Sequence, residues 1–189
     1  MARVISVVNQ KGGTGKTTSV INISAYLARR GYKTLIVDME PQANATLCLG
    51  INPLALEISM YDVLLKEAVS LKDIILATNI ENLHLAPAQV SLAKTDINLA
   101  NKPNKQYRLK EKLYNVTSRY DYILIDCPPS LSLLPINALT ASDEVIIPLQ
   151  PNYLSLEGLK QLKVSLDRTK DELNPSLKVL GMLFTMVDM

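Results

Sequence analysis

Six short runs along the chain are apolar almost without interruption: Val4 to Val8, Thr34 to Val37, Leu83 to Ala86, Tyr122 to Ile125, Val145 to Leu149 and Val179 to Val187. A strand with one wet face alternates apolar and polar residues, whereas a strand covered on both faces does not. These runs therefore predict buried strands. Between them the apolar period lengthens. Ser19 to Arg30 places Val20, Ile23 and Leu27 on one helical face, and Gly31 stops the helix. Ser155 is positioned to cap a helix through about Glu172, with Leu156, Leu159, Leu162 and Leu166 facing inward.

Weaker signals fill the remainder. Asn44 reads as the cap of a short helix ending near Gly50, and Ser59 as the cap of another running through Lys66. Leu71 to Leu76 reads as the continuation of a helical hairpin, and Pro87 closes the strand before it. Leu131 to Ala141 reads as a helix that Pro135 must kink or delay. The most polar stretch, Asn101 to Lys112, carries Lys102, Lys105, Arg108, Lys110 and Lys112 around Tyr107. Two readings stand for it: the solvated face of a helix running to Ser118, or a nucleic-acid patch.

Strands alternating with helices predict an α/β fold of three layers, a mostly parallel twisted sheet with helices on both faces. At 189 residues the chain fits a single domain. Apolar residues make up 48% and charged residues 20%, which argues against disorder. A net charge of +2 supplies no global field, so contact with nucleic acid would need a local patch. Cys48, Cys127 and the single His84 stand apart, giving neither a zinc spacing nor a disulfide framework, and this suits a reducing cytoplasm. No apolar run approaches a membrane span.

The candidate chemistry begins at Gln10-Lys11-Gly12-Gly13-Thr14-Gly15-Lys16-Thr17-Thr18, between the first strand and the first helix. Glycines there let backbone N–H groups turn inward, and the helix N-terminus adds partial positive charge, so the loop can cradle a phosphate chain. In this pattern Lys16 reaches the β/γ-phosphates and the Thr17 hydroxyl holds Mg²⁺. Asp38 and Asp126 each end an apolar run, as acidic groups near a hydrated magnesium must. Ligands in parallel sheets sit at the carboxyl ends of strands, where all three features fall.

The loop departs from G-x-x-x-x-G-K-[ST] by having Gln10 in place of the first glycine and Lys11 at its head. The resulting K-G-G-x-G-K-[ST] resembles the deviant Walker A motif of the ParA/MinD ATPases. Asp38-Met39-Glu40-Pro41-Gln42-Ala43-Asn44-Ala45-Thr46 resembles that family's D-x-D-P-Q-G-N-A-T switch I, and Asp126-Cys127-Pro128-Pro129-Ser130 its D-x-P-P-S switch II. The segments from Ile147 to Gly158 and from Leu183 to Asp188 are also similar, so the likeness runs over nearly the whole chain and is nearest to ParA/Soj partition ATPases. It implies a Mg²⁺-dependent ATPase that forms an ATP-bound sandwich homodimer, with Lys11 reaching the partner's phosphates. It also implies non-specific binding to double-stranded DNA, stimulation by a ParB-type partner, and a cytoplasmic, nucleoid-associated role in plasmid or chromosome partition. Lys11, Lys16, Asp38 and Glu40 are the implied catalytic residues. Residues 11–18, with the Thr185-Met186 turn and Asp188 near the adenine together with Pro151-Asn152, are implied to bind the nucleotide. Thr17, Asp38 and Asp126 are implied to hold the metal, the carboxylates through water.

Two departures matter. Glu40 stands where the family has Asp, which predicts slow turnover, and Ala43 stands where the family often has Gly. The chain ends at Met189, whereas the resemblance implies further sheet and C-terminal helices, so a single P-loop ATPase domain without that portion is expected. A MinD-like positioning ATPase needs an amphipathic C-terminal helix, which this stretch does not supply, and no membrane partner is expected. The same motifs also fit a small-molecule, ATP-dependent enzyme on this scaffold and a non-hydrolysing ATP-gated scaffold.

Overall fold

The computed structural model describes residues 1–130, 132–151 and 153–187, and of residues 153–157 the backbone alone. Seven strands form one sheet: β1 (Arg3–Val7), β2 (Thr34–Asp38), β3 (Leu76–Ala77), β4 (Leu83–Ala86), β5 (Tyr122–Asp126), β6 (Glu144–Leu149) and β7 (Lys178–Phe184). Their order is β3-β4-β2-β5-β1-β6-β7. Every neighbouring pair is parallel except β3, which runs antiparallel to β4. The helices are α1 (Lys16–Arg29), α2 (Asn44–Cys48), α3 (Met60–Leu65), α4 (Thr95–Leu99), α5 (Arg108–Tyr114), α6 (Leu133–Ala141) and α7 (Tyr153–Glu172).

The unbroken apolar runs have a direct cause. Successive strand residues point to opposite faces. Val7, Ile36, Leu85 and Leu124 pack with Val20 and Ala28 of α1 on one side. Val4, Leu35, Val37, Ile123, Ile125 and Val145 pack on the other side with α3, α5, α6 and α7. Along α1 the fully buried stripe is Val20, Ser24 and Ala28, while Ile23 and Leu27 lie at its flank. Small side chains let the α1 backbone lie close to the sheet.

Several local expectations are corrected. α1 starts at Lys16 rather than Ser19, so the loop's lysine and threonines belong to its first turn. Asn44 lies inside α2. The cap is Ala43, at φ 54° and ψ 36°, and the Asn44 amide donates to Gln42 instead (3.2 Å). Ser59 does cap α3, in a capping box closed by Asp62 onto the Ser59 N–H (3.0 Å). Residues 71–76 do not form a helical hairpin. Ser70 caps one 3-10 turn, Leu71–Ile74, and the chain then becomes β3. The apolar pair Leu71 and Ile74 fills a single turn, and the open edge of β4 pairs the next backbone groups. Among the described residues the sheet therefore has seven strands instead of six.

The long helix expected over 101–118 shrinks to α5 and a 3-10 turn, Thr117–Arg119. Pro103 disfavours helix before it, and Asn104 at φ 53° reverses the chain. A 3-10 turn at Val90–Lys94 and α4 precede it, where no helix is predicted from the sequence. α6 begins late, at Leu133 after Ser132, so Pro135 falls in the first turn, where its missing N–H has no carbonyl to bond. α7 starts at Tyr153, ahead of Ser155, which is an interior residue and not a cap. Leu162 and Leu166 are buried and Leu159 packs beside them, while the Leu156 side chain lies outside the described residues. β7 is an edge strand with Val179, Leu180, Met182 and Phe184 exposed. No helix among the described residues is long and apolar enough to cross a membrane.

Candidate nucleotide site

β1 delivers the glycine-rich loop to the carboxyl edge of the sheet. The loop hangs from three anchors. The Asn9 amide donates to the Pro148 carbonyl (2.6 Å) and its oxygen accepts the Lys11 N–H (3.0 Å). The Gln150 amide, just past β6, donates to the Gly13 carbonyl (3.0 Å). The Thr185 hydroxyl, just past β7, donates to the Thr14 carbonyl (2.9 Å), while the Thr185 N–H holds the Leu149 carbonyl (3.0 Å). The Gly13 and Thr14 carbonyls are thereby tied to the ends of β6 and β7. Gly13 and Gly15 have φ of 72° and 82°, in the left-handed region. A Cβ at Gly15 would lie 3.4 Å from the Thr185 methyl, an ordinary contact, so the positive φ and not crowding is what favours glycine there.

Thr14 and Lys16 are buried, Lys11 and Thr17 are half-buried, and Gly12, Gly13 and Thr18 are exposed. The Lys16 ammonium donates back to the Lys11 carbonyl (3.1 Å). Burial lowers its pKa, and the charges of Asp126, Cys127 and Glu40 oppose that shift. The Lys11 ammonium has no hydrogen bond or ion pair among the described residues.

Asp38 and Asp126 are register partners at the ends of adjacent β2 and β5. Both are fully buried, yet they are held differently. Asp38 accepts the Glu40 N–H (3.0 Å), the Thr46 N–H (2.9 Å) and the Thr46 hydroxyl (2.7 Å). The same Thr46 hydroxyl accepts the Ala88 N–H (3.0 Å), so Asp38 pins the loop after β2 onto the end of β4. Neither carboxylate oxygen of Asp126 meets hydrogen-bond geometry, although the adjacent Thr17 hydroxyl favours its charged form. Burial raises the Asp38 carboxyl to about 6 against its three hydrogen bonds. Burial first, and then the Asp38 charge, raise Asp126 to about 7. Glu40 is buried and turns its carboxylate back to accept the Gln42 N–H (3.2 Å).

The structure thus brings residues 11–18, Asp38, Glu40 and Asp126 to one edge. Met186, expected near the adenine, is exposed there at φ 53°, its sulfur 2.8 Å from the Gln150 amide. Pro151 is exposed, and Asn152 and Asp188 lie outside the described residues. From the sequence, Thr46 and Gln150 carry no role of their own, and Thr185 is expected only in the turn near the adenine, not as an anchor of the loop. For Gln150 and Thr185 the readable signal was their place, immediately after apolar runs at the carboxyl edge. Among the described residues no three His, Cys, Asp or Glu side chains converge to hold an ion alone. Cys127 is buried, and burial raises its thiol well above the usual range, while Cys48 is exposed.

The basic stretch 101–112 is largely committed to the fold. Lys112 donates to the carbonyls of Lys66, Glu67 and Val69 (3.0, 2.9 and 2.6 Å). Lys105 donates to Ala100 (2.7 Å), and buried Arg108 pairs with Glu67 (3.6 Å). Cations bonded inward do not make a phosphate track, which removes most of the basis for a nucleic-acid patch there.

A strand, a glycine-rich loop entering a helix, and carboxylates ending the next two strands of a parallel sheet define a P-loop nucleoside triphosphatase, here with a second lysine at the loop head. A model of the AAA domain family matches residues 2–179. Sporulation initiation inhibitor protein Soj of Bacillus subtilis (strain 168) is 48% identical over 188 residues, covering 100% of this chain and 74% of Soj. The chain belongs to the ParA/Soj-type ATPase family. Among solved structures, a Borrelia burgdorferi plasmid partition protein superposes with TM-score 0.86 at 30% identity, covering 99% of this chain and 80% of that one. Cobyrinic acid a,c-diamide synthase from Mycobacterium smegmatis, with bound ATP analog and magnesium, superposes with TM-score 0.95 at 39% identity, covering 100% of this chain and 76% of that one.

Proposed function

We propose that the chain is a magnesium-dependent ATPase that dimerises around ATP, binds duplex DNA without sequence preference and serves plasmid or chromosome partition at the nucleoid, with a ParB-type protein stimulating hydrolysis. The observation that carries this reading is the Lys11 ammonium, placed at the head of the loop with no partner among the described residues. Family membership and the chromosome partitioning role named for a Myxococcus xanthus relative support the rest.

The chemistry follows from the residues. The loop N–H groups and the start of α1 take the phosphate chain, and Lys16 leaves the Lys11 carbonyl for the phosphates. The Thr17 hydroxyl and the unbonded carboxylate of Asp126 would hold a hydrated magnesium, which would supply charge neutralisation for the phosphates. Asp38 holds the Glu40 segment in place, and Glu40 orients the attacking water. Lys11 of a second copy adds charge stabilisation that is complete only in the dimer, as an arginine finger does.

Mixing two inactive variants tests this. Lys11→Ala keeps a complete site of its own but cannot complete its partner's, and Asp126→Asn does the reverse. Each alone should fall at least ~100-fold in turnover, and the mixture should recover activity. A mixture no more active than its parts overturns the action of Lys11 across the dimer. A second reading, a small-molecule ATP-dependent enzyme, is favoured by the diamide synthase neighbour. Amide formation on cobyrinic acid, first-order in protein at high dilution and indifferent to DNA, would select it.

A further inference from the structure

At the opposite pole of the sheet, where β2, β4 and β5 begin, lies a hollow of about 300 Å³ lined by Lys33, Asn82, His84, Arg119 and Tyr120. It is roughly 15 Å from the carboxylates, the length of a five-residue strand. Its walls are rich in donors. Lys33 and Arg119 are exposed and neither forms an ion pair among the described residues. The Tyr120 hydroxyl lies 3.1 Å from His84 Nδ1 and the rings meet edge to face at 5.6 Å. When Tyr120 donates, His84 Nε2 carries the proton, and that nitrogen has no partner among the described residues. Two acids lie nearby. The Asp121 carboxylate accepts the Lys33 backbone N–H (2.8 Å), and Glu81 lines a neighbouring depression together with Arg29.

We infer that this hollow binds a phosphate group, held by the Lys33 and Arg119 cations with Asn82 and His84 Nε2 as further donors. Ammonium, guanidinium, amide and imidazole N–H together match the oxygens of a phosphate and leave few acceptors for a cation. The ligand chemistry is shared by a free phosphate or phosphorylated small molecule and by the phosphodiester of a nucleic acid. The site stands apart from the nucleotide loop and does not depend on the ATPase reading. Its electrostatics agree: burial first, and then the charges of Arg119 and Lys33, depress His84, as expected when those cations lack an anion.

His84 is the only histidine in the chain, so its ring C–H resonance reports on the hollow without assignment. The titration is run on the full chain with the P-loop kept saturated by ADP, in chloride and in phosphate at equal ionic strength. An anion beside the imidazolium stabilises its charge, so phosphate should raise the His84 midpoint by about 0.5–1 unit. Lys33→Ala/Arg119→Ala should abolish that response and raise the midpoint in chloride, with ADP affinity unchanged as the check on folding. The titration is repeated with a nucleoside monophosphate and with duplex DNA, and the ligand that saturates at the lowest phosphate concentration identifies the source. A midpoint indifferent to phosphate, nucleotide and DNA overturns the site, and so does an equal response in wild type and double variant.

Discussion

Asp38 and Asp126 are the same residue type, end neighbouring strands and are equally buried, but three hydrogen bonds occupy one and none by geometry the other. That difference is the reason the proposed function gives Asp38 the loop after β2 and gives Asp126 the metal. Ala43 shows a second effect at this scale. It sits at φ 54°, a conformation that costs a residue with a Cβ roughly 1 kcal/mol, which accounts for glycine at this place in the family pattern. The proposed role of Glu40 in orienting the attacking water can be tested at the same scale, since its carboxylate accepts the Gln42 N–H in this structure. Glu40→Asp should raise single-turnover hydrolysis by about 10–100-fold, since misplacement of about 1 Å is worth that much. An unchanged rate would overturn the expectation that Glu40 slows turnover.

At the scale of elements, the loop's conformation depends on strands far away in sequence. Thr185 after β7 and Gln150 after β6 hold the Thr14 and Gly13 carbonyls. Thr185→Val preserves shape and deletes the hydroxyl. It should lower stability by about 1 kcal/mol and weaken ADP binding by about 5–10-fold, read by denaturant unfolding and calorimetry. If both values stay at wild type, the strap has no energetic role. The long elements were legible because their signals are local: β4 over Leu83–Ala86 and β2 over Thr34–Asp38 follow from apolar continuity between turn residues. β3, with two residues, carries no periodicity, and only the open edge of β4 makes it a strand.

For the whole molecule, two buried carboxyls raised to about 6 and about 7 link folding to pH. In the unfolded chain they titrate near 4. The folded state therefore binds the extra protons, and their stabilising contribution is full below about pH 4 and is lost as pH rises through 6 to 7. Nucleotide-free protein should be less stable at pH 8 than at pH 5 by on the order of 4 kcal/mol from this pair. Asp126→Asn should remove much of that difference and be the more stable of the two proteins at pH 8. Denaturant midpoints at the two pH values check this, and a variant with the wild-type slope would locate the linkage elsewhere.

The sequence by itself determined the α/β class, the loop and the two carboxylates at strand ends, because each rests on residues adjacent in the chain. Asp126 reached the candidate site on the same grounds, whereas Lys11 and Glu40 did so through the resemblance of their motifs to the ParA/MinD pattern. Tertiary structure alone decided which carboxylate stays unbonded, that Lys105, Arg108 and Lys112 turn inward, and that Gln150 and Thr185 secure the loop. It alone gathered Lys33, His84 and Arg119 around one hollow. These outcomes depend on which distant backbone groups come within hydrogen-bond reach, and that is set only when the strands have taken their order in the sheet.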